Sequence, residues 1–316
     1  MTLTRSEVKN NSSGFITPLK VNLSNVSSVN PIKDFGTMDI ETINVNNKQI
    51  PIAISMAWSK LADVKAVPNC KLFLINRQIF TKNMDRAVLD LFTRYFDFVS
   101  KLPPHTIFVH NLGSFDGYFI MKYLTLKYEN NKVSSIIDDS NKFIQISLEV
   151  NKDSSNKNKP QFTHWKDSYR IFPVSLNQLS NVFESIGKQS EYNLAFNSIS
   201  LFNDKNLLAE FKKYAKQDSL TLYLAILNAS YDYFKNYQID LSDVLSTSSL
   251  SLKIFRSKFL DTKIPILNSV DDFFIRKSYI GGATDYYKLY GENLYYYDVN
   301  SLYPYAMLNP MPLSIQ

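Results

Sequence analysis

One segment of helical periodicity lies between short strand-like segments in the first half of the chain. From Met84 to Val99 the apolar residues recur at the spacing of a single helix face. Apolar runs suited to strands precede it at Cys70 to Asn76 and follow it at Thr106 to His110. Because strands alternate with helices, the sequence predicts an α/β fold.

Local signals place further elements. Phe35 to Glu41 is predicted to be a strand, and Ile43 to Trp58 a hairpin that turns at Asn46-Asn47. Three further helices are predicted. The first runs from Gly117 to Leu126, and the second begins at a capping box of Ser175 and Gln178 and runs through Ile186. The third runs from Asn206 to Tyr237, either as one long helix or as two joined helices. Asn151 to Lys159 is predicted to be a polar loop.

The two ends of the chain differ from the middle in composition. Residues 1–32 are polar and rich in Ser and Asn, which indicates a loose arm. The aromatic segment from Phe273 to Tyr305 is expected to begin a different domain. We therefore expect an arm at 1–32, a first domain at 33–240, and linker helices followed by the start of a second domain at 241–316.

Composition narrows the class of protein. A formal charge of +6 fits a polyanionic partner, although many soluble proteins are as basic. The single cysteine excludes an internal disulfide framework and a cysteine-rich zinc site, and three scattered histidines argue against a histidine-based metal site. No apolar run reaches the ~18 residues of a membrane-spanning helix. Frequent Asn, Lys, Ile, Phe and Tyr, whose codons are AT-rich, suggest an organellar, plasmid or phage genome.

Four carboxylates occur in patterns that can form one site. Asp39 and Glu41 are two apart on a predicted strand, so both side chains share a face. Asp116 ends the run Asn111-Leu112-Gly113-Ser114-Phe115-Asp116 at a strand-to-helix junction, where it could also simply cap the helix. Tyr214 and Asp218 are four apart in a helix and lie on one side of it. Taken singly, each acid could equally be an ordinary solvated residue.

Near the end of the chain, one run combines a carboxylate with a turn and a tyrosine. Asp298-Val299-Asn300-Ser301-Leu302-Tyr303-Pro304 is predicted to be a strand that presents Asp298, followed by a turn. Before it, Ser278-Tyr279-Ile280-Gly281-Gly282-Ala283 carries paired glycines, which allow close approach of the main chain to a ligand or form an ordinary turn.

In this order, the motifs D-x-E, N-x-x-x-F-D and Y-x-x-x-D resemble the exonuclease motifs of family B DNA polymerases and of the wider DEDDy class of ribonuclease H-like 3′-5′ exonucleases. The later run resembles the first metal-binding motif of the same polymerases, D-x-x-S-L-Y-P. The closest likeness is to protein-primed members from linear mitochondrial plasmids and small phages.

This resemblance implies roles for the exonuclease residues. The four acids Asp39, Glu41, Asp116 and Asp218 would hold two divalent cations, Mg²⁺ or Mn²⁺, which prefer oxygen ligands. Tyr214 would orient the attacking water. The groove for the primer end would be lined by the following residues: Thr42, His110, Asn111, Phe115 and Phe119. The two phenylalanines could instead pack in the core. A basic residue near this site is implied, with Lys166 and Arg170 as alternatives.

The resemblance also implies roles at the polymerase end. Asp298 would hold Mg²⁺, and Tyr303 would pack under the sugar of the incoming nucleotide, with Ser301 and Leu302 beside it. Tyr279, Gly281 and Gly282 would contact template DNA. The later polymerase motifs, including a second metal-binding aspartate, do not occur in this sequence, so we expect no DNA synthesis by the chain alone.

The overall expectation is a ribonuclease H-like domain, with a mixed sheet and flanking helices, followed by the incomplete start of a polymerase palm. The implied partners are single-stranded and primer-template DNA, dNTPs and a terminal protein primer, and the implied location is mitochondrial. The first ten residues lack the apolar segment of a signal peptide. The alternatives are a stand-alone 3′-5′ exonuclease and a non-catalytic DNA-binding remnant.

Overall fold

The structure is a computed structural model, which describes residues 14–19, 32–59, 67–103, 105–150, 161–183, 185, 192–278, 280–281, 285 and 287–310. In these residues the strands are β1 (Phe15–Ile16), β2 (Phe35–Val45), β3 (Lys48–Trp58), β4 (Asn69–Leu74), β5 (Thr106–Val109), β6 (Val133–Ile137), β7 (Phe143–Val150), β8 (Gln161–Asp167) and β9 (Ile264–Pro265). The α-helices are α1 (Arg77–Phe80), α2 (Met84–Val99), α3 (Asp116–Lys127), α4 (Ser168–Ile171), α5 (Leu176–Val182), α6 (Lys205–Tyr237), α7 (Thr247–Lys258), α8 (Ser269–Ser278) and α9 (Leu302–Ala306).

The chain divides into two compact units. The larger unit comprises residues 21–255, and the smaller unit comprises residues 1–20 together with residues 256–316. The larger unit contains a seven-stranded sheet of order β4-β3-β2-β5-β8-β7-β6. β5 runs parallel to β2 and β8, and the other pairs are antiparallel. The predicted mixed α/β sheet is therefore confirmed.

The hairpin between β2 and β3 turns where the sequence predicts it. Asn46 and Asn47 both have positive φ, 51° and 61°, which is the conformation that a two-residue turn of type I′ requires. Asparagine tolerates this left-handed region better than most residues. The turn fixes the register of β2, and with it the face on which each β2 side chain lies.

Alternate residues of β2 face different helices. Met38 contacts α2, where the hydroxyl of Tyr95 donates to its Sδ at 2.9 Å. The indole N–H of Trp165 in turn donates to Tyr95 Oη at 3.0 Å, which ties α2 to β8. On the other face, Thr37 Oγ1 donates to the main-chain oxygen of Ser219 in α6 at 2.6 Å. β2 is thus packed between α2 and α6.

Most predicted helices and strands of the larger unit are present. α2 has the predicted bounds, and α6 is one uninterrupted helix. The capping box of Ser175 and Gln178 is formed, but α5 ends at Val182, and the predicted end at Ile186 lies outside the described residues. The hairpin of β6 and β7 has no predicted counterpart. The predicted loop at 151–159 also lies outside the described residues.

The larger unit extends past the predicted domain limit at residue 240. Leu241, Val244 and Leu250 are buried in the same apolar cluster as Tyr223 and Ile226 of α6. Because these side chains complete the core beside α6, the segment after the long helix belongs to this unit up to Phe255. The predicted limit was wrong because a core contact between distant segments leaves no local composition signal.

The smaller unit has a two-stranded sheet, described here by itself. β1 pairs antiparallel with β9, and Leu19 N–H donates to the oxygen of Arg256 at 2.9 Å. Arg256 Nε donates to the oxygen of Thr17, also at 2.9 Å. For residues 15–19 the predicted loose arm is therefore wrong, because main-chain pairing over two residues is too short to produce a side-chain pattern.

Aromatic side chains of the smaller unit are largely exposed. Tyr295, Tyr296 and Tyr297 are all more than four-fifths exposed within the described part of the chain. None of the helices that the structure describes combines the length and apolar character needed to cross a bilayer.

Candidate active site

Strand β2 presents two acids toward α6. Asp39 and Glu41 alternate with the buried Met38 and Ile40, and they lie on the same face as Thr37, which is bonded to α6. A register shift between β2 and β3 occurs directly after Glu41. Such bulges change the direction of neighbouring side chains and are frequent beside active sites.

Helix α6 adds a phenol and a third acid to this face. Tyr214 and Asp218 lie one turn apart, and Asp218 immediately precedes Ser219, whose oxygen accepts the Thr37 bond. Tyr214 is 8% exposed. Burial first, and then the charges of Glu41, Asp218 and Asp39, raise the pKa of Tyr214 well above its ordinary value. The phenol is therefore a near neighbour of three of the four predicted acids.

Asp116 supplies the fourth acid from the neighbouring strand. β5 is parallel to β2, with Val109 opposite Met38, so β5 ends at the level of Asp39, the next residue of β2. There Asp116 begins α3 and is 5% exposed. Burial, followed by the charge of Asp39, raises the pKa of this carboxyl well above its usual range. The main-chain N–H of Ile40 is among its hydrogen-bond donors.

The structure therefore brings together the residues that the sequence analysis predicted from separated motifs. Asp39 acts on Asp116, and Asp39, Glu41 and Asp218 act on Tyr214. They come from one strand, one strand-to-helix junction and one helix. This arrangement depends on the parallel pairing of β2 with β5 and on the packing of α6 against β2.

The acid cluster fits hard divalent cations by donor type and charge. All four ligands offer oxygen, which Mg²⁺ and Mn²⁺ prefer. Within the described residues, Asp116 Oδ1 is buried and accepts no hydrogen bond, and the repulsion between Asp39 and Asp116 would be offset by a cation. However, no group of three or more His, Cys, Asp or Glu in the described part of the chain is arranged to ligate an ion as it stands. The acids are thus electrostatic neighbours without a preformed cage.

Exposed aromatic rings lie near the acids. Phe115 is 36% exposed, and its ring packs edge-on against Phe119 at 5.3 Å. Tyr192 is 45% exposed, its ring lies 5.7 Å from that of Tyr214, and its pKa is raised by burial and by the charge of Glu41. The sequence analysis missed Tyr192, since no motif marks it and only the fold brings it beside Glu41.

The turn between β5 and α3 is held from inside the protein. The main-chain N–H groups of Asn111 and Gly113 donate to the buried carboxylate of Asp167, both at 3.0 Å. His110, predicted to contact DNA, has Nδ1 3.1 Å from Ser168 Oγ and Nε2 3.0 Å from the oxygen of Val174. Its imidazole nitrogens are therefore engaged within the protein, and its contact with DNA stays a prediction.

The remaining predicted residues of the larger unit have identifiable partners. Thr42 Oγ1 donates to Gln49 Oε1 across the hairpin at 2.8 Å. Lys166 is buried, donates from Nζ to the oxygen of Ser242, and has its pKa lowered to about 8 by that burial. Arg170 forms an ion pair with Asp138. Neither of these bonds joins a cation to the acid cluster, so the choice between Lys166 and Arg170 as the basic residue stays open.

In the smaller unit, the predicted polymerase residues lie in an exposed segment. Asp298 is exposed, Ser301 has a left-handed φ of 53°, and α9 then carries Leu302 and Tyr303. A methyl group added at Gly281 would meet no atom within 4 Å. Tyr279 and Gly282 lie outside the described residues. The nucleotide and template contacts of this segment stay predictions.

Known proteins that are similar to this chain match segments containing the predicted exonuclease residues and the predicted polymerase residues. The model of a protein family described as "DNA polymerase type B, organellar and viral" matches residues 189–316, which include Tyr214, Asp218 and Asp298. A "Probable DNA polymerase" of Ascobolus immersus is 27% identical over 336 residues, covering 93% of this chain and 26% of the relative. One of Podospora anserina is also 27% identical and covers 88% of this chain and 28% of its own length.

Over residues 189–316 the chain is similar to the type B DNA polymerases of organelles and viruses. Its fold is similar to that of Phi29 DNA polymerase in a ternary complex with primer-template DNA and incoming nucleotide, with a TM-score of 0.56 and 16% identity. That similarity covers 79% of this chain and 39% of Phi29 polymerase. The chain thus spans less than half of the length of these family B relatives.

Proposed function

We propose that the chain acts in DNA replication as part of a protein-primed family B DNA polymerase, and that its larger unit is a 3′-5′ exonuclease. One observation supports this more than any other: Asp39, Glu41, Asp116 and Asp218, far apart in sequence, lie close enough to act on a buried carboxyl or on one phenol. After burial, the charge of Asp39 raises the pKa of the Asp116 carboxyl, and the charges of Glu41, Asp218 and Asp39 raise the pKa of Tyr214. A buried group whose pKa is shifted by burial and by specific charges is a candidate for a functional site.

The residues of the site would have different roles in the hydrolysis of a 3′-terminal phosphodiester. Asp39, Glu41, Asp116 and Asp218 would hold two Mg²⁺ or Mn²⁺ ions, which activate a water and stabilise the leaving 3′-oxygen. Because its pKa is raised, Tyr214 keeps its proton at neutral pH. The hydroxyl therefore orients the water or a phosphate oxygen by hydrogen bonding and does not act as a base.

Exposed rings suit an unpaired DNA end. Aromatic faces stack on bases with little sequence preference, which suits removal of any mispaired terminal nucleotide. Phe115, which precedes Asp116, and Tyr192, whose ring contacts that of Tyr214, are exposed and can serve this purpose. Phe119 is half-buried against the core and supports the ring of Phe115 edge-on. Asn111 and Thr42 complete the proposed groove. The net charge of +6 supports binding of single-stranded and primer-template DNA.

The smaller unit would contribute to nucleotide addition. In this proposal Asp298 holds Mg²⁺, and Tyr303 packs under the incoming sugar with Ser301 and Leu302 beside it. Tyr279, Gly281 and Gly282 contact the template. The proposal includes a terminal protein as primer and a mitochondrial location. The frequent Asn, Lys, Ile, Phe and Tyr, whose codons are AT-rich, favour an organellar or plasmid genome.

A nuclease assay tests the exonuclease. The protein is incubated with 5′-labelled single-stranded DNA and Mg²⁺ or Mn²⁺, and we expect stepwise shortening from the 3′ end. Asp39→Ala and Asp116→Ala should abolish it. Asp97→Ala is the matched control. Asp97 is an exposed acid on α2, and it forms an ion pair with Lys127 of α3.

Two other outcomes contradict parts of the proposal. Absence of shortening with both metals would indicate a non-catalytic protein that binds DNA. Shortening that persists in Asp116→Ala would show that the acid cluster is not the nuclease site. Addition of primer-template and dNTPs to the same assay tests whether this chain also extends a primer.

A further inference from the structure

We propose that Asp167 is a positioning residue of the nuclease site, which fixes the turn at residues 111–113 and thereby sets the place of Asp116. The inference rests on the proposed exonuclease function. Asp167 lies between Lys166 and Arg170, in the segment from which a basic residue near the site was expected, but the sequence predicted no role for Asp167 itself. It is not one of the four acids to which the metals are assigned.

Both oxygens of Asp167 are used to hold main chain. Oδ1 accepts from the N–H groups of Asn111 and Tyr169, and Oδ2 accepts from the N–H of Gly113, each at 3.0 Å. The residue is 3% exposed. A buried carboxylate is stable only when such donors surround it, and three main-chain N–H groups provide them.

The turn that Asp167 holds is closely enclosed. Asn111 has a left-handed φ of 68°, which asparagine tolerates better than most residues. A Cβ on Gly113 would stand 2.7 Å from the oxygen of Phe143 and 3.4 Å from Asp167 Oδ2. The turn is therefore enclosed by β7 on one side and by Asp167 on the other.

A rigid connection leads from this turn to Asp116. The turn continues as one 3-10 turn, Leu112–Ser114, and α3 begins two residues later at Asp116. Leu112 is fully buried, and a Cβ on Gly117 would lie 2.7 Å from its main-chain oxygen. Because the first turn of α3 rests directly on the turn that Asp167 holds, displacement of that turn displaces Asp116.

Replacement of Asp167 by asparagine tests this with minimal change in shape. An amide has one acceptor oxygen, so its NH₂ must face at least one main-chain N–H that now donates to the carboxylate. Asp97→Asn is the matched control at an exposed site. Gly113→Ala perturbs the same turn from the side of Phe143.

Three measurements are made on the full chain: Mn²⁺ binding by electron paramagnetic resonance, the 3′-5′ nuclease rate, and thermal unfolding in EDTA. We expect Asp167→Asn and Gly113→Ala to remain folded at the assay temperature. We expect both to lose about ten- to a hundredfold in Mn²⁺ affinity, the size of effect seen for residues that orient metal ligands. The double variant should lose little more than either single variant, because both act on one turn.

The outcomes separate this inference from the function on which it rests. If the unaltered chain neither binds Mn²⁺ nor shortens DNA, the proposed function is wrong. The positioning role is wrong if the unaltered chain binds Mn²⁺ and shortens DNA, and Asp167→Asn has the same Mn²⁺ affinity and nuclease rate as Asp97→Asn. Loss of the folded state in Asp167→Asn would show a role in folding alone and would likewise overturn the inference.

Discussion

Thr37 donates a buried hydrogen bond of 2.6 Å to the main-chain oxygen of Ser219. The donor lies two residues before Asp39 on β2, and the acceptor lies one residue after Asp218 on α6. One bond therefore sets the separation between the strand and the helix that carry three of the four acids.

Thr37→Val should weaken both stability and nuclease activity. Valine fills the same volume but leaves the Ser219 oxygen without its side-chain donor, and loss of one buried partner costs about 1–3 kcal/mol of unfolding free energy. Urea unfolding followed by circular dichroism measures this. Thr125→Val is the control, because the Thr125 hydroxyl donates to α3 main-chain oxygens at an exposed position. Equal losses in the two variants would contradict the prediction.

Asp116→Asn should stabilise the metal-free protein while it abolishes hydrolysis. Burial and the charge of Asp39 disfavour the ionised carboxyl, so its removal relieves a cost in the native state. We expect a gain of about 1 kcal/mol or more in unfolding free energy in EDTA, as is common when a strained functional group is removed. Thermal unfolding in EDTA and with Mn²⁺ measures it.

The same experiment shows the effect of metal removal. Ions that bind only the native state raise its stability, so Mn²⁺ should raise the melting temperature of the unaltered protein and have much less effect on Asp116→Asn. An equal Mn²⁺-induced shift in both proteins would show that Asp116 does not take part in binding the ion.

Tyr214→Phe should lower the nuclease rate without lowering the stability of the fold. The ring packs against Phe196 and Tyr192, and these contacts remain in the variant. Only the hydroxyl that orients the water is lost, so we expect about a ten- to hundredfold lower nuclease rate. Mn²⁺ affinity and melting temperature should change little. Tyr123→Phe is the control, since Tyr123 is a buried tyrosine that stacks on Phe92 at 4.4 Å. A nuclease rate equal to that of the control would contradict the role of the hydroxyl.

Lys166 should make stability rise with pH in the alkaline range. Burial lowers its pKa from 10.5 to about 8, with Lys253 and Lys33 acting in the same direction and Asp243 and Asp240 opposing. Between these values the unfolded chain binds more protons than the native protein, so the free energy of unfolding increases as pH rises.

The comparison with Lys166→Met isolates this effect. From pH 7.5 to 10.5 the unaltered protein should gain up to about 3 kcal/mol in unfolding free energy relative to the variant. Urea titrations across this range measure the difference. A difference that stays constant with pH would show that Lys166 titrates normally in the native state.

Local sequence signals were sufficient to predict elements that depend on residues close together in the chain. The period of α2, the capping box of α5 and the Asn46-Asn47 turn are short-range features, and each is present in the structure. Pairing of Phe15–Ile16 with Ile264–Pro265 could not be predicted, since two paired residues are too few to produce an alternating side-chain pattern. The hairpin of β6 and β7 was missed as well, because its side chains are mostly half-buried or exposed and give no clear alternation.

In the candidate site, too, local sequence motifs predicted some residues, while others became apparent only from contacts between distant segments. Sequence motifs predicted Asp39, Glu41, Asp116, Tyr214 and Asp218 as site residues, because the chemistry of a divalent cation restricts which residue types can serve, and that role stays a prediction. They gave no role to Tyr192 or Asp167. A residue that only touches a ring or holds a main-chain turn has no required neighbours in sequence.

The sequence by itself determined which side chains can perform the chemistry and on which face of each local element they lie, since both depend on residue type and on helix or strand periodicity. The tertiary structure decided that these faces meet. Parallel pairing of β2 with β5 and the Thr37–Ser219 bond bring the four acids together beside the end of β5. Such contacts join residues far apart in the chain, and their free energy exists only when both segments are folded against each other.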